Sequence, residues 1–469
     1  MLPVMKRERD EEPSEGTSSK RSKKENTPSQ LTIDKPKTEK IVSASELNTM
    51  IMTQRQQNGP LQLVHIIQEC LTVIFQYLDL KDLYNVAEAD KHFVPVVRSI
   101  FSQRYRHKQL VLNLSDISAN VSSDCIEIPK ELNTTAFFEY FGSAILKLKV
   151  IGMDWCPNEI KESFLKHCTA SIVELELVSC TYCFKGVDQP FENVKHLVIN
   201  DSTLWSLWPD QWFPNVIELH LKFKSIHANF LPGHFPKMTR LDIDDPNMKI
   251  LPRIVDRMIR MNPQLTCLGV QRDYDIEFLR VASESLPHLK HLELFVPKDG
   301  FRSSGDQKIH FENVKTFALA KLHDADGAAV VNMPFLFTKL EELFFFGGTG
   351  FNDEVLNFIK ENKTVKELNM MAFDLNSMTY NDLVLIIRSM PNLSALMIDA
   401  VTFTTKELIQ LLCDGDEWNI SKLFFAFDFD SKRRKFQSKA YKSKIENKWT
   451  IVAVRYSNSP IFGLEFNKL

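Results

Sequence analysis

The 469-residue sequence predicts an α/β chain in which a small helical module precedes a curved solenoid, with parallel strands inside and helices outside. Three observations predict it. An apolar-x-x-Leu-x-Leu pattern recurs down the chain, its key positions 22, 22, 22, 27, 24, 25, 26, 25, 28 and 27 residues apart. Several stretches between copies carry apolar residues at helical spacing behind capping residues. The first 58 residues are of another composition altogether, dominated by Ser, Thr, Pro, Gln, Lys and Glu, with no aromatic before Phe75.

Residues 1–58 cannot bury enough apolar surface to offset the entropy of folding and are expected to be a disordered tail. Within it Lys6 and Arg7 are followed, across a spacer, by Lys20, Arg21, Lys23 and Lys24. Two basic clusters on a flexible spacer can occupy two acidic pockets at once, the arrangement of a bipartite nuclear import signal. Glu8, Asp10, Glu11, Glu12 and Glu15 lie between the clusters, so a solvated charge-rich tail is the alternative.

Residues 61–107 form the helical module. Leu71, Ile74, Phe75 and Leu78 fall at i, i+3, i+4 and i+7, which gathers them on one helical face. Asp82 is the expected N-cap of a second helix carrying Leu83, Val86 and Ala87. Two short amphipathic helices need a partner surface to bury both faces. The stretch resembles an F-box. Ile66, Glu69, Cys70, Leu71, Ile74, Phe75, Tyr77 and Leu78 fill the places of its opening motif in order, Asp82-Leu83 supplies its later Asp-Leu, and Ile67 stands where the family has proline. The resemblance implies that Ile66, Glu69, Leu71, Ile74, Phe75, Tyr77, Leu78, Leu83 and Val86 bind a Skp-type adaptor and, through it, a cullin.

A further helix over 94–107 leads to the alternating Leu110, Leu112 and Leu114 and into the solenoid, residues 108–456. The clearest strand copies centre on Leu175, Leu197, Leu219 and Leu241, and the pattern returns around Leu268, Leu292, Phe317, Leu343, Leu368, Leu396 and Leu423. This spacing is that of leucine-rich repeats. Return helices are expected behind a capping box at Thr404–Glu407, after Asp275, and after Asn381 or Asp382. Each unit then reads strand, bend, helix, return, and stacking the units creates the core. At the bend, where such repeats carry Asn or Cys, this chain has Cys180 and Ser202 but also Lys224, Pro246, Pro297 and Phe373, so the side-chain ladder there is expected to be incomplete. The whole resembles an F-box protein with C-terminal leucine-rich repeats, a family of non-catalytic substrate receptors in Skp/cullin/F-box ubiquitin ligases. The alternative is a repeat scaffold with a degenerate F-box and no ligase role.

Composition excludes several other classes. A net charge of −3 gives no overall pull toward nucleic acid. No apolar run approaches membrane-spanning length, the start lacks the core of a secretory signal, and the eight cysteines are scattered, so an intracellular protein, nuclear or cytoplasmic, is expected. Cys180-Thr-Tyr-Cys183 is the single CxxC and has no second pair to complete a zinc site. Gly300 to Gly305 has P-loop glycine spacing, but Asp306-Gln307 replaces the Lys and Ser/Thr that would reach phosphate and magnesium. No enzyme, metal or cofactor is expected. The run Lys432-Arg433-Arg434-Lys435 reads as a solvated segment between the last repeats.

Strand residues flanking the buried leucines should face the concave side. Those positions are mostly polar in the early repeats, where Glu176, His196, His220 and Asp242 are target-binding candidates. They turn apolar later, with Phe344, Phe346, Met371, Met397 and Phe424. An exposed patch of that size needs a cover, either a protein target or the C-terminal tail, residues 457–469, folding back along it.

Overall fold

The computed structural model describes residues 68–115, 124–153, 157–180, 189–202, 209–223, 233–247, 250–271, 274, 276–296, 308–321, 333–346, 352–371, 378–399, 403–414, 418–427, 448–455 and 462–469. The chain divides into two units, residues 1–65 and 66–469, and every described residue belongs to the second. The tail over 1–58 with Lys6, Arg7, Lys20, Arg21, Lys23 and Lys24 lies outside the described residues, as do Ile66, Asp275, Cys183, the stretch from Gly300 to Gly305 and the run at Lys432.

The module begins with α1 (Gln68–Phe75) and α2 (Leu80–Ala89). Asp79, not Asp82, caps α2: the Asp79 carboxylate accepts from the Asp82 N–H at 2.8 Å, which leaves Asp82 in the first turn, where its charge favours the helix dipole. A short 3-10 turn, Lys91–Phe93, leads to α3 (Val94–Tyr105), where Pro95 occupies the first turn and no hydrogen bond is lost to it. Phe75 meets Phe93 edge-on, with ring centres 5.6 Å apart, and Arg104 donates to the Leu78 carbonyl. The strands β1 (Gln109–Asn113) and β2 (Cys125–Glu127) then precede α4 (Thr134–Phe141), whose N-terminus is capped by Asn133. Phe101 of α3 stacks on Phe141 at 4.7 Å, and Arg98 donates to the Tyr140 carbonyl at 2.6 Å. The module therefore shares one apolar core with the first strands.

From there the chain adds β3 (Lys147–Ile151), β4 (Glu174–Val178), β5 (His196–Asn200), β6 (Glu218–Lys222), β7 (Arg240–Asp244), β8 (Cys267–Gln271) and β9 (His291–Val296). After β10 (Ile309–Phe311) come β11 (Thr316–Lys321), β12 (Phe335–Phe337) and β13 (Glu342–Phe346). The series ends with β14 (Glu367–Met370), β15 (Ala395–Asp399), β16 (Lys422–Phe427), β17 (Trp449–Arg455) and β18 (Phe462–Lys468). Sixteen strands make one sheet, ordered β17-β18-β16-β15-β14-β13-β11-β9-β8-β7-β6-β5-β4-β3-β1-β2; β10 and β12 pair separately. Every pair from β2 to β16 is parallel. Register follows from burial: Leu148, Leu175, Leu197, Leu219, Leu241, Leu268, Leu292, Phe317, Leu343, Leu368, Leu396 and Leu423 align across the sheet, each at most 1% exposed. A one-residue slip would turn that whole column to the other face. The fold is thus the expected leucine-rich-repeat α/β solenoid.

The bends are satisfied mainly by backbone. The N–H groups of Gly152, Ser179, Asp201, Phe223 and Asp245 donate to the carbonyls of Val178, Asn200, Lys222, Asp244 and Gln271, each in the next strand, at 2.7–2.9 Å. The first three bends use left-handed backbone (φ 71°, 50° and 44°), which glycine adopts without strain at position 152. Side chains add one rung of the expected ladder, where the Cys180 N–H donates to Ser202 Oγ at 2.9 Å.

Return segments differ from the expectation that every unit carries a helix. Helices α5 (Asn158–Cys168), α7 (Pro252–Met261), α8 (Ile276–Ser285), α9 (Asp353–Glu361), α10 (Tyr380–Ser389) and α11 (Thr405–Cys413) serve the longer units, whereas the described residues between β4 and β7 hold only the four-residue α6 (Pro209–Trp212). A 22-residue period leaves little length beyond strand, bend and return. The capping box Thr404–Glu407 forms as expected, but α10 is capped by Thr379 in a box with Asp382, two residues before Asn381.

The C-terminal segment does not fold back along the open face. β18 inserts between β16 and β17, antiparallel to both, and turns Leu464 and Phe466 into the core, with Phe466 against Phe425 at 5.3 Å. Pairing with the last strand satisfies a full row of backbone groups that a strand lying across the sheet would leave unmet.

Candidate protein-interaction surfaces

The side chains between the leucine columns stand in rows on the sheet face away from the helices. Parallel register puts Lys147, Glu174, His196, Glu218 and Arg240 side by side in one row, and Lys149, Glu176, Val198, His220, Asp242, Gly269 and Glu293 in the next. Opposite charges on adjacent strands pair: Lys147 with Glu174 at 2.7 Å, Lys149 with Glu176 at 3.0 Å, His196 Nδ1 with Glu218 at 3.0 Å, and His220 Nδ1 with Asp242 at 3.0 Å. Arg240 Nε donates to the same Asp242 carboxylate at 2.7 Å.

These contacts tune the groups. The hydrogen bond to Glu218 raises the pKa of His196 and lowers that of Glu218. Burial pushes the Asp242 carboxyl up, but the bond and charge of His220 and the charge of Arg240 outweigh it, and the group sits below the usual carboxylate range. Burial raises Glu293, helped by the nearby Asp242 charge, and pushes the Cys267 thiol up to about 12. Gly269 leaves room for the Asp242 carboxylate: a Cβ there would lie 2.4 Å from Asp242 Oδ1 and force that side chain to shift. Of the early candidates, Glu176, His196, His220 and Asp242 thus meet on one face and all four are held in cross-strand ion pairs, Glu176 with Lys149, His196 with Glu218, and His220 with Asp242.

The later candidates differ from the expected exposed patch. Phe344 is 6% exposed and Phe424 is 2% exposed, while Phe346, Met371 and Met397 are half-buried. Bulky side chains about 4.8 Å apart on neighbouring strands cover one another. Phe344 and Phe346 lie face to face at 6.0 Å, and Phe424 sits beside Met397 on one side and Glu465 of β18 on the other, where Lys422 reaches Glu465 at 3.1 Å.

The adaptor-binding candidates divide in two. Leu71, Phe75 and Leu83 are in the protein's own core, at 4%, 4% and 0% exposure, and cannot present area to a partner from there. Leu78 and Val86 are half-buried against that core. Ile74 and Tyr77 face solvent at 50% and 80%, and Val73, which the motif leaves unspecified, joins them at 57%; Glu69 is exposed. The i, i+3, i+4 spacing located the helix but not which of its faces the solenoid's first helices would take.

Among the described residues, no cluster of three or more His, Cys, Asp or Glu could hold a metal ion, and no helix is long and apolar enough to cross a membrane. Cys180 is buried with Sγ near the Val178 carbonyl at 3.3 Å. Sequence patterns also missed a second ladder. The residue four before the first strand leucine reaches back one repeat: Asn193 to Ala170, Asn215 to Glu192, Asn313 to Pro287, Asn392 to Lys363 and Asn419 to Pro391, at 2.7–3.0 Å. Its signal was legible as the repeated Asn before Val, Leu or Ile.

No protein-family model and no curated protein sequence matches the chain. Solved structures similar to it include the leucine-rich repeat-containing protein LegL7 of Legionella pneumophila, at 13% identity over 68% of this chain and 95% of that one, with a TM-score of 0.31. The Rad7 and Elc1 complex of yeast is similar at 13% identity over 79% of this chain and 89% of that one, with a TM-score of 0.33. An internalin of Listeria monocytogenes is similar at 11% over 54% and 66%, with a TM-score of 0.23.

Proposed function

We propose that the chain is a non-catalytic, substrate-recognition subunit of a Skp/cullin/F-box ubiquitin ligase. Helix α1 docks the Skp-type adaptor, and the open sheet face holds a protein target. The observation that carries the proposal is the outward apolar stripe of Val73 and Ile74 on α1 and Tyr77 in the turn that follows it, in a stretch that resembles the F-box motif. Burying each large apolar group in an interface is worth about 1.5–3 kcal/mol. The chain's contribution to ubiquitin transfer is proximity, since it would hold the target near an enzyme supplied by other subunits.

The test is adaptor and cullin co-purification with Ile74→Asp plus Tyr77→Asp, both surface changes that leave the core residues Leu71 and Phe75 in place. The double variant should keep its melting temperature and lose the adaptor. Wild-type recovery of adaptor and cullin by a folded double variant would leave the chain a repeat scaffold without a ligase role.

A further inference from the structure

Helix α7 differs in charge from the other return helices. It carries Arg253, Arg257 and Arg260 against the single Asp256, a net +2, whereas α5, α8, α9, α10 and α11 carry from −2 to 0 by the same count. The three arginines stand at i, i+4 and i+7, within about 60° of helical arc and roughly 10 Å of length. All three are exposed, while Val255, Met258 and Ile259 fill the buried side and Asp256 is half-buried. Arg253 and Arg260 enter no hydrogen bond or ion pair with any described residue. The other arginines of the first helices behave differently, since Arg98 and Arg104 spend their donors on carbonyls of the module itself. There is no lysine on the helix; guanidinium forks match planar oxyanions two bonds at a time.

We propose that the arginine face of α7 is a docking surface for a short acidic segment of a protein partner, on the side of the sheet opposite the open face. Carboxylates at helical spacing i and i+7 match Arg253 and Arg260, with the charge of Arg257 between them. The length of the patch argues against an extended polyanion such as nucleic acid. It ends at α8, packed alongside, where Glu277 is already paired with Arg280 at 2.8 Å and the exposed Glu284 would repel a phosphate backbone continuing across it. A short stretch of three or four acids meets the arginines alone.

The probe is a synthetic helical peptide with glutamates at i, i+4 and i+7, titrated by fluorescence anisotropy at about 50 mM salt, where screening is weak. The full chain should bind it, and R253E/R260E should bind roughly tenfold more weakly or worse with unchanged melting. R253Q/R260Q, which avoids new like-charge contacts, should show the same direction. Three results would overturn the proposal: no binding by the unaltered chain, equal binding by either variant, or tighter binding of a single-stranded oligonucleotide of equal charge. Adaptor recovery through α1 is indifferent to all of these variants, so failure here leaves the ligase reading standing, and the reverse.

Discussion

The segments that enter β5, β6 and β7 fill the same space as those that enter β8, β9, β14 and β15, but by different means. The key position is six residues before the first strand leucine. In the first group it is Phe191, Phe213 and Phe235, each at most 1% exposed, with Phe164, Phe191 and Phe213 forming a continuous stack at 5.7 and 5.3 Å. In the second group it is Asn262, Leu286, Asn362 and Met390, at or just past the end of a return helix. The segments that enter β11 and β13 follow the first rule, with Phe311 and Phe337 stacked at 5.7 Å. An aromatic ring takes the place of the apolar face of a long return helix, and at the ends of α7 and α9 an asparagine satisfies one of the last carbonyls. Asn262 and Asn362 each donate Nδ2 at 2.7 Å to the carbonyl four residues earlier. The lesson is that one column of the repeat reports what covers the sheet beside it.

The largest test of that contrast is Phe213→Ala. It removes a fully buried ring from the end of the stack, 5.3 Å from Phe191, and should cost about 3–5 kcal/mol. Urea denaturation measures it. A cost below about 1 kcal/mol would mean that the aromatic column does not do the work of a return helix. Asn262→Ala comes next. It strands the Phe235 N–H and the carbonyls of Gly233 and Met258, now satisfied at 2.8, 3.0 and 2.7 Å, and should cost about 1–3 kcal/mol, while Asn392→Ala at the exposed ladder should cost less. Equal losses at the two asparagines would remove the distinction between capping and laddering.

The smallest effect is on the open face and depends on pH. The raised pKa of His196 means that its pairing with Glu218 contributes fully below pH 6.5 and is lost as pH rises through the folded value; the lowered pKa of Glu218 means that its share is lost as pH falls below 4.5. The pair therefore contributes most between those limits. Stability measured from pH 5 to 8 should decline above pH 6.5 more in the wild type than in His196→Gln, and parallel curves would show that the pair is without consequence.

Much of this was legible in the sequence. The leucine period located every strand from β4 to β16 that joins the main sheet, because a buried column cannot slip by one residue without exposing itself. Thr404–Glu407 was legible as a cap because that signal is local. The site was less legible. Glu176, His196, His220 and Asp242 were placed on one face by alternation alone, yet their pairings depend on which strands become neighbours, and Glu293 and Gly269 acquire meaning only beside Asp242.

What the sequence by itself determined is the repeat: its period, its strand-and-bend unit, its parallel order and the identity of its buried column, all set by the alternation of side chains along a strand and by the need to stack units that cannot bury their leucines alone. Tertiary structure decided which surfaces remain outside. Leu71 and Phe75 share a helix with Val73 and Ile74, and only packing against α3 turned the first pair inward and left the second pair in solvent. Phe424 became buried because neighbours on adjacent strands cover it, Phe344 lies against Phe346 of its own strand, and β18 entered the sheet because the last strand of a solenoid offers a row of unpaired backbone groups that no residue type announces.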